Sequence, residues 1–256
     1  MIQLRSTLQL LHGDCVIKMK GFASNCIDLT VTSPPYDNLR KYTGFVFDFY
    51  NAARELYRIT KPGGVVVWVV ADGTTKGSET GTSFKQALYF KECGFNLHDT
   101  MIWVKDGGGA IGSKYCYTQN TEYMFVLSKG RPKTVNLLTK PNGSFGKVKH
   151  PSGRRNTDGT RKVAVRKAGA EHSKRNNWWY IPPSNSKDHG HPACFPLQIP
   201  SDHIRSWSNI GDLVFDPLVG SGTTGIAAKK LGRNFIGIDI SNDYIQLAKQ
   251  RILELR

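Results

Sequence analysis

What the chain lacks narrows it first. In 256 residues no uninterrupted apolar run approaches the roughly 20 residues that cross a bilayer. Met1-Ile2-Gln3-Leu4-Arg5 does not begin a signal peptide, so a cytoplasmic protein without membrane contact is expected. Cysteine is sparse: the five residues Cys15, Cys26, Cys93, Cys116 and Cys194 form no C-x-x-C pair and no local His/Cys cluster. That pattern predicts reduced, mostly buried thiols and no metal site. Acidic residues are also short, above all in one place. From Lys129 to His189 three acids face fifteen Lys and Arg, a surplus of twelve out of the net charge of +15. A generally basic protein spreads its charge; this concentration predicts a surface for a polyanion, of which nucleic acid is the commonest. A solvated charged loop is the alternative reading of the same run.

What is present is an alternation of strand-like and helix-like segments, the mark of an α/β sheet. Strands are predicted at 7–12, 27–32 and 65–70, and a helix at 47–59 from its apolar spacing, stopped by Lys61-Pro62-Gly63-Gly64. A helix at 83–93 follows, then strands at 100–104 and 123–127 around a glycine-rich connection at 107–112. Periodicity is lost from 129 to 189. It returns as a helix at 202–207, a strand at 212–215, a helix at 223–231, a strand at 234–238 and a closing helix at 242–255. The predicted organisation is one core in two halves, 1–128 and 190–256, interrupted by a basic insertion, 129–189. Trp178-Trp179-Tyr180 either packs that insertion onto the core or touches its partner.

Two motifs carry chemistry. Thr32-Ser33-Pro34-Pro35-Tyr36 ends the apolar run 27–31. Prolines donate no N–H and keep the backbone extended, so nearby carbonyls can point outward as acceptors. A hydroxyl, outward carbonyls and the Tyr36 ring suit a flat heterocycle with an amino group, such as a base drawn out of its helix. The second motif, Asp216-Pro217-Leu218-Val219-Gly220-Ser221-Gly222-Thr223-Thr224-Gly225, joins a strand to a helix. Its glycines admit a ligand to the backbone, and the helix start offers N–H groups to a carboxylate or phosphate. Asp239, nineteen residues after Gly220, ends the next strand, where an acid can accept both ribose hydroxyls. The spacing also fits a dinucleotide fingerprint. Asp216 argues against that reading, because a carboxylate there repels a pyrophosphate but pairs with an ammonium. S-adenosylmethionine carries an ammonium, a carboxylate and a ribose.

With its SPPY motif, then the basic segment, then the glycine loop, the chain resembles the beta-class DNA amino-methyltransferases. His191-Pro192-Ala193-Cys194-Phe195-Pro196 resembles that family's cofactor-flanking motif. The resemblance covers nearly the whole chain. It implies a Rossmann-like methyltransferase fold with a mostly parallel, seven-stranded sheet, a circularly permuted motif order and a basic target-recognition insertion. It implies S-adenosyl-L-methionine as cofactor, with Asp14, Phe195, Pro196, Asp216, Pro217, Leu218, Gly220, Gly222, Thr223, Thr224 and Asp239 as its binding residues. Asp14 enters because residues 8–14 can supply, from the other end of the chain, the strand that the permuted order leaves out after Asp239. Leu218 departs from the family, which usually has Phe after Asp-Pro.

The same resemblance implies site-specific methylation of an exocyclic amine in double-stranded DNA. Ser33, Pro34, Pro35 and Tyr36 are the catalytic set. Lys147, Lys149, Arg154, Arg155, Arg161, Lys162, Arg166, Lys167, Lys174 and Arg175 are the DNA-contacting set. A homodimer and a cognate restriction endonuclease are compatible with it, as is a solitary modifier. Methylation at carbon 5 of cytosine typically uses a cysteine following a proline, and the chain contains no Pro-Cys. That leaves N4 of cytosine and N6 of adenine. In the family a serine at the first motif position goes mostly with cytosine, so N4 is favoured and N6 is the alternative. A non-catalytic nucleic-acid-binding protein and a nicotinamide-dependent oxidoreductase are the readings from other classes.

Overall fold

The computed structural model describes residues 7–35, 47–105, 115–145, 152–164, 169–183 and 194–254, with the backbone alone over 152–155 and 161–164. Tyr36, Lys147, Lys149, Arg166, Lys167, the 107–112 connection and His191 to Ala193 lie outside the described residues.

In chain order the elements are β1 (Leu8–His12), α1 (Cys15–Lys20), β2 (Ile27–Thr32), α2 (Phe49–Ile59), β3 (Thr60–Val70), β4 (Thr74–Thr75), β5 (Ser78–Glu79) and α3 (Thr82–Glu92). Then come β6 (Asn96–Val104), β7 (Thr121–Ser128), β8 (Thr139–Pro141), β9 (Ser152–Arg155), β10 (Arg161–Ala164), β11 (His172–Lys174) and β12 (Trp178–Tyr180). The chain closes with α4 (Gln198–Trp207), β13 (Leu213–Asp216), α5 (Thr223–Lys230), β14 (Asn234–Asp239) and α6 (Asn242–Leu253).

The main sheet has eight strands in the order β1-β14-β13-β2-β3-β7-β6-β12. Every neighbour is parallel except on the two sides of β7, so β7 alone runs against the rest. The expectation is seven strands; the eighth is β12, too short for periodicity to reveal. It extends the edge beyond β6, pairing Trp178 with Ile102 and Tyr180 with Val104. Trp179 is buried there while Trp178 and Tyr180 stay exposed, so the aromatic triplet divides between packing and surface.

The continuous apolar run at the end of β3 follows from burial on both faces of the sheet, whereas β2 alternates Ile27, Leu29 and Val31 with polar residues. Val65 to Val70 are all buried, and Trp68 at their centre donates Nε1–H to Gln86 Oε1 at 2.8 Å. Phe49 and Phe90 lie 5.8 and 5.1 Å from the Trp68 ring, which fastens α2 and α3 onto one face. Asp48 caps α2 by accepting the Asn51 N–H. Lys61-Pro62-Gly63-Gly64 does not form a loop after that helix. It is the first part of β3, where the register with β2 shifts between the Ile27 and Leu29 pairs.

Chain contacts divide the molecule into two units, 1–136 with 177–256, and 137–176. The second unit therefore lies inside the basic segment, whose two ends belong to the first. It contains two antiparallel ladders, β8 with β11 and β9 with β10. No helix among the described residues is long and apolar enough to cross a membrane. Of the five cysteines only Cys15 is buried, three are half-buried and Cys116 is exposed, a correction to the expected mostly buried set.

Candidate active site

Parallel neighbours end at a common rim, and β1, β14, β13 and β2 bring their carboxyl ends there side by side. Ligands of open α/β sheets bind outside those ends. From β2 emerge Ser33, Pro34 and Pro35, with Pro34 buried and the other two half-buried. From β13 comes Asp216, only 2% exposed. The Thr32 hydroxyl donates to Asp216 Oδ1 at 2.7 Å, and the Leu218 N–H donates to the same oxygen at 3.1 Å. Residues 184 positions apart are thus locked together. Burial raises the Asp216 carboxyl to about 6, with nearby Asp239 adding to the rise and the Thr32, Thr224 and Leu218 donors opposing it.

The glycine loop turns between β13 and α5. Gly222 has φ of +84°, the left-handed region. A Cβ there would come within 2.9 Å of the Ala248 Cβ, so this glycine serves the approach of α6 as well as the turn. Asp239 is clamped by backbone amides, with Oδ2 accepting from Gly220 at 2.9 Å and Oδ1 from Ser241 at 2.9 Å. Burial is also the main reason its carboxyl is raised; the two amides and His12 act against it.

β1 lies beside β14 in parallel register, His12 opposite Asp239, and the Gly13 N–H donates to the Asp239 carbonyl at 2.8 Å. Asp14 follows at the same rim. Its Oδ1 caps α1 through the Ile17 N–H at 2.9 Å. Before α4, Phe195 is half-buried and Pro196 buried, and Cys194 Sγ lies 2.7 Å from Ser221 Oγ in the glycine loop. Pro217 is buried, and Leu218 is half-buried against the core cluster.

Thr223 is 8% exposed at the first position of α5. Thr224 is fully buried, and its hydroxyl points back to the Val31 carbonyl at 3.3 Å, so this side chain braces β2 against α5. Lys174 and Arg175 belong to the second unit, exposed and half-buried respectively. Arg154, Arg155, Arg161 and Lys162 stand on the β9–β10 ladder.

A family model described as DNA methylase, N6_N4_Mtase, matches residues 27–250. The chain belongs to the N6/N4 DNA methylase family. Among similar proteins, the orphan methyltransferase M.BamHII of Bacillus amyloliquefaciens is 52% identical over 245 residues, covering 91% of this chain and 92% of the relative. A solved structure of TTHA0409 from Thermus thermophilus, complexed with S-adenosyl-L-methionine, superposes with a TM-score of 0.67 at 26% identity, covering 96% and 93% of the two chains. The cytosine-N4-specific PvuII DNA methyltransferase superposes with a TM-score of 0.70 over 98% and 88%, at 20% identity, a likeness of fold.

Sequence reading of this N6/N4 DNA methylase misses two supports of its site. One is the Thr32 hydroxyl as a ligand of the Asp216 carboxylate. The other is Arg251 of α6, whose Nη1 donates to the Ser221 carbonyl at 2.6 Å. Neither belongs to a local pattern, because each acts across elements that are distant in sequence.

Proposed function

We propose that this N6/N4 DNA methylase transfers a methyl group from S-adenosyl-L-methionine to the exocyclic N4 of a cytosine drawn out of double-stranded DNA. The Thr32–Asp216 hydrogen bond carries the reading, because it couples the Ser33-Pro34-Pro35 segment to the glycine loop.

The donor groups at the rim fit the cofactor. Asp216 is a buried carboxylate that gains from a cation, which the amino-acid ammonium provides. The α5 N-terminus suits the cofactor carboxylate, with Gly220, Gly222 and Thr223 lining the approach and Thr224 bracing it. Asp239 keeps acceptor capacity for the ribose hydroxyls beyond the two amides it already binds. Asp14 would face the adenine, and Phe195, Pro196, Pro217 and Leu218 would supply apolar walls. When bound, S-adenosylmethionine supplies an electrophilic methyl group on a sulfonium.

The Ser33 oxygen and the Pro34 carbonyl accept the two amine N–H groups, which favours a more pyramidal and more nucleophilic nitrogen. Pro35 keeps the segment extended and Tyr36 stacks on the base. Such catalysis rests on positioning and electrostatics. DNA is held by Lys147, Lys149, Arg154, Arg155, Arg161, Lys162, Arg166, Lys167, Lys174 and Arg175, so affinity falls steeply with salt. The orphan status in the name of M.BamHII favours a solitary modifier over one with a partner endonuclease.

Mass spectrometry of nucleosides from DNA treated with the purified protein tests this reading. N4-methylcytosine supports it. N6-methyladenine transfers the mechanism to the other amine, and absence of both products refutes it.

A further inference from the structure

The first unit carries a second feature at the rim where Ser33 emerges. Thr32 is level with Trp68 of β3, and β3 ends two residues later at Val70. The chain then forms the β4–β5 hairpin, with Thr75 opposite Ser78 and two residues in the turn. Those residues are Lys76, with φ of +51°, and Gly77, with φ of +79°. Two successive left-handed residues make a type I′ turn, which favours Asn, Asp or Gly at its first position. A lysine there is strained, because its Cβ crowds the following carbonyl in the left-handed region. It is exposed, so packing gives no reason for that side chain.

Beside the hairpin runs the segment that leads into β7. Gln119 Nε2 donates to Glu79 Oε1 at 2.6 Å, which ties the two together. In that segment Tyr115 is 85% exposed and Tyr117 97% exposed. Two rings this exposed within three residues offer flat faces on which a base can stack.

We propose that the Lys76 hairpin tip and the Tyr115–Tyr117 segment form a DNA-contacting edge separate from the basic segment. Lys76 meets a backbone phosphate, and the two tyrosines meet bases or deoxyribose beside the target nucleotide. DNA is the occupant because a cation at the tip of a two-residue turn complements phosphate, and exposed rings accept unstacked bases. The inference rests on DNA as substrate. It does not depend on which amine is methylated or on the roles given to Ser33 and Tyr36.

The test uses the full chain, a duplex of fixed sequence with one mismatched cytosine, which leaves a base readily unstacked, and fluorescence anisotropy over a range of salt, with S-adenosylmethionine binding followed by calorimetry. Lys76→Asn is expected to melt no lower than wild type, since asparagine tolerates the left-handed turn. Its plot of log affinity against log salt should be shallower by about one. The paired variant Tyr115→Ala with Tyr117→Ala is expected to bind DNA about tenfold more weakly at an unchanged slope. Cofactor affinity should stay at the wild-type value in both. A wild-type slope in Lys76→Asn, DNA affinity within twofold of wild type in the tyrosine pair, or joint loss of cofactor binding in either variant overturns the proposal. Failure of the methyl-transfer reading appears separately, as wild-type protein that yields no methylated nucleoside.

Discussion

The Thr32 hydroxyl and the Asp216 carboxylate meet at 2.7 Å, where β2 and β13 end side by side. One bond thus ties the segment assigned to the base to the loop assigned to the cofactor. Thr32→Val preserves shape and removes the donor. A hydrogen bond to a charged, buried group contributes about 1.5–3 kcal/mol, so a loss of that order is expected in urea unfolding. Thr32→Ser should recover most of it. Equal stability of the valine and serine variants would show that the bond is dispensable.

Asp216 makes stability depend on pH. Its carboxyl is held near 6 in the folded chain against an ordinary value of 3.8. Between those values the folded state keeps a proton that the unfolded chain has released. Stability therefore falls as pH rises through that window and levels off above it. Asp216→Asn keeps an acceptor for Thr32 and Leu218 and removes the charge. The variant should melt higher than wild type at pH 7.5, with a flatter pH profile, while binding S-adenosylmethionine far more weakly. Thermal melts at pH 5 and pH 7.5 with calorimetry decide it; an unchanged pH profile would sink the assignment.

Gly222→Ala tests the loop. Left-handed strain of about 1–2 kcal/mol adds to about 1–3 kcal/mol for the overpacking of a new Cβ against Ala248, a total of about 2–5 kcal/mol. A midpoint in urea indistinguishable from wild type would mean that α6 yields easily.

Ser33→Ala and Tyr36→Ala should each reduce methyl transfer by about a hundredfold or more while leaving cofactor affinity within a few-fold. Single-turnover transfer with radiolabelled S-adenosylmethionine reads the first, and calorimetry the second. Wild-type transfer in both variants would remove the base pocket.

Much of the core is legible because its elements are regular. The strands at 27–32 and 234–239 and the helices at 49–59, 223–230 and 242–253 fall within a few residues of where periodicity puts them. Elements with little period are not. α1 has six residues and no sustained amphipathic repeat, and β12 has three. Lys61-Pro62-Gly63-Gly64 reads as a helix stop, which it is, but the strand begins immediately because Thr60 already pairs with Ile27. Motif order puts Leu8 to His12 beside the Asp239 strand, and β1 pairs there over five residues.

By itself the sequence determined the α/β class, the order of the two motifs and the concentration of positive charge, since each is written in neighbouring residues or composition. Tertiary structure alone decided which groups share the rim. Asp216 has a carboxyl near 6 only because folding removes it from water. Thr32 is its donor only because β13 pairs with β2. Desolvation and contact across 184 residues arise from packing, which no local pattern encodes.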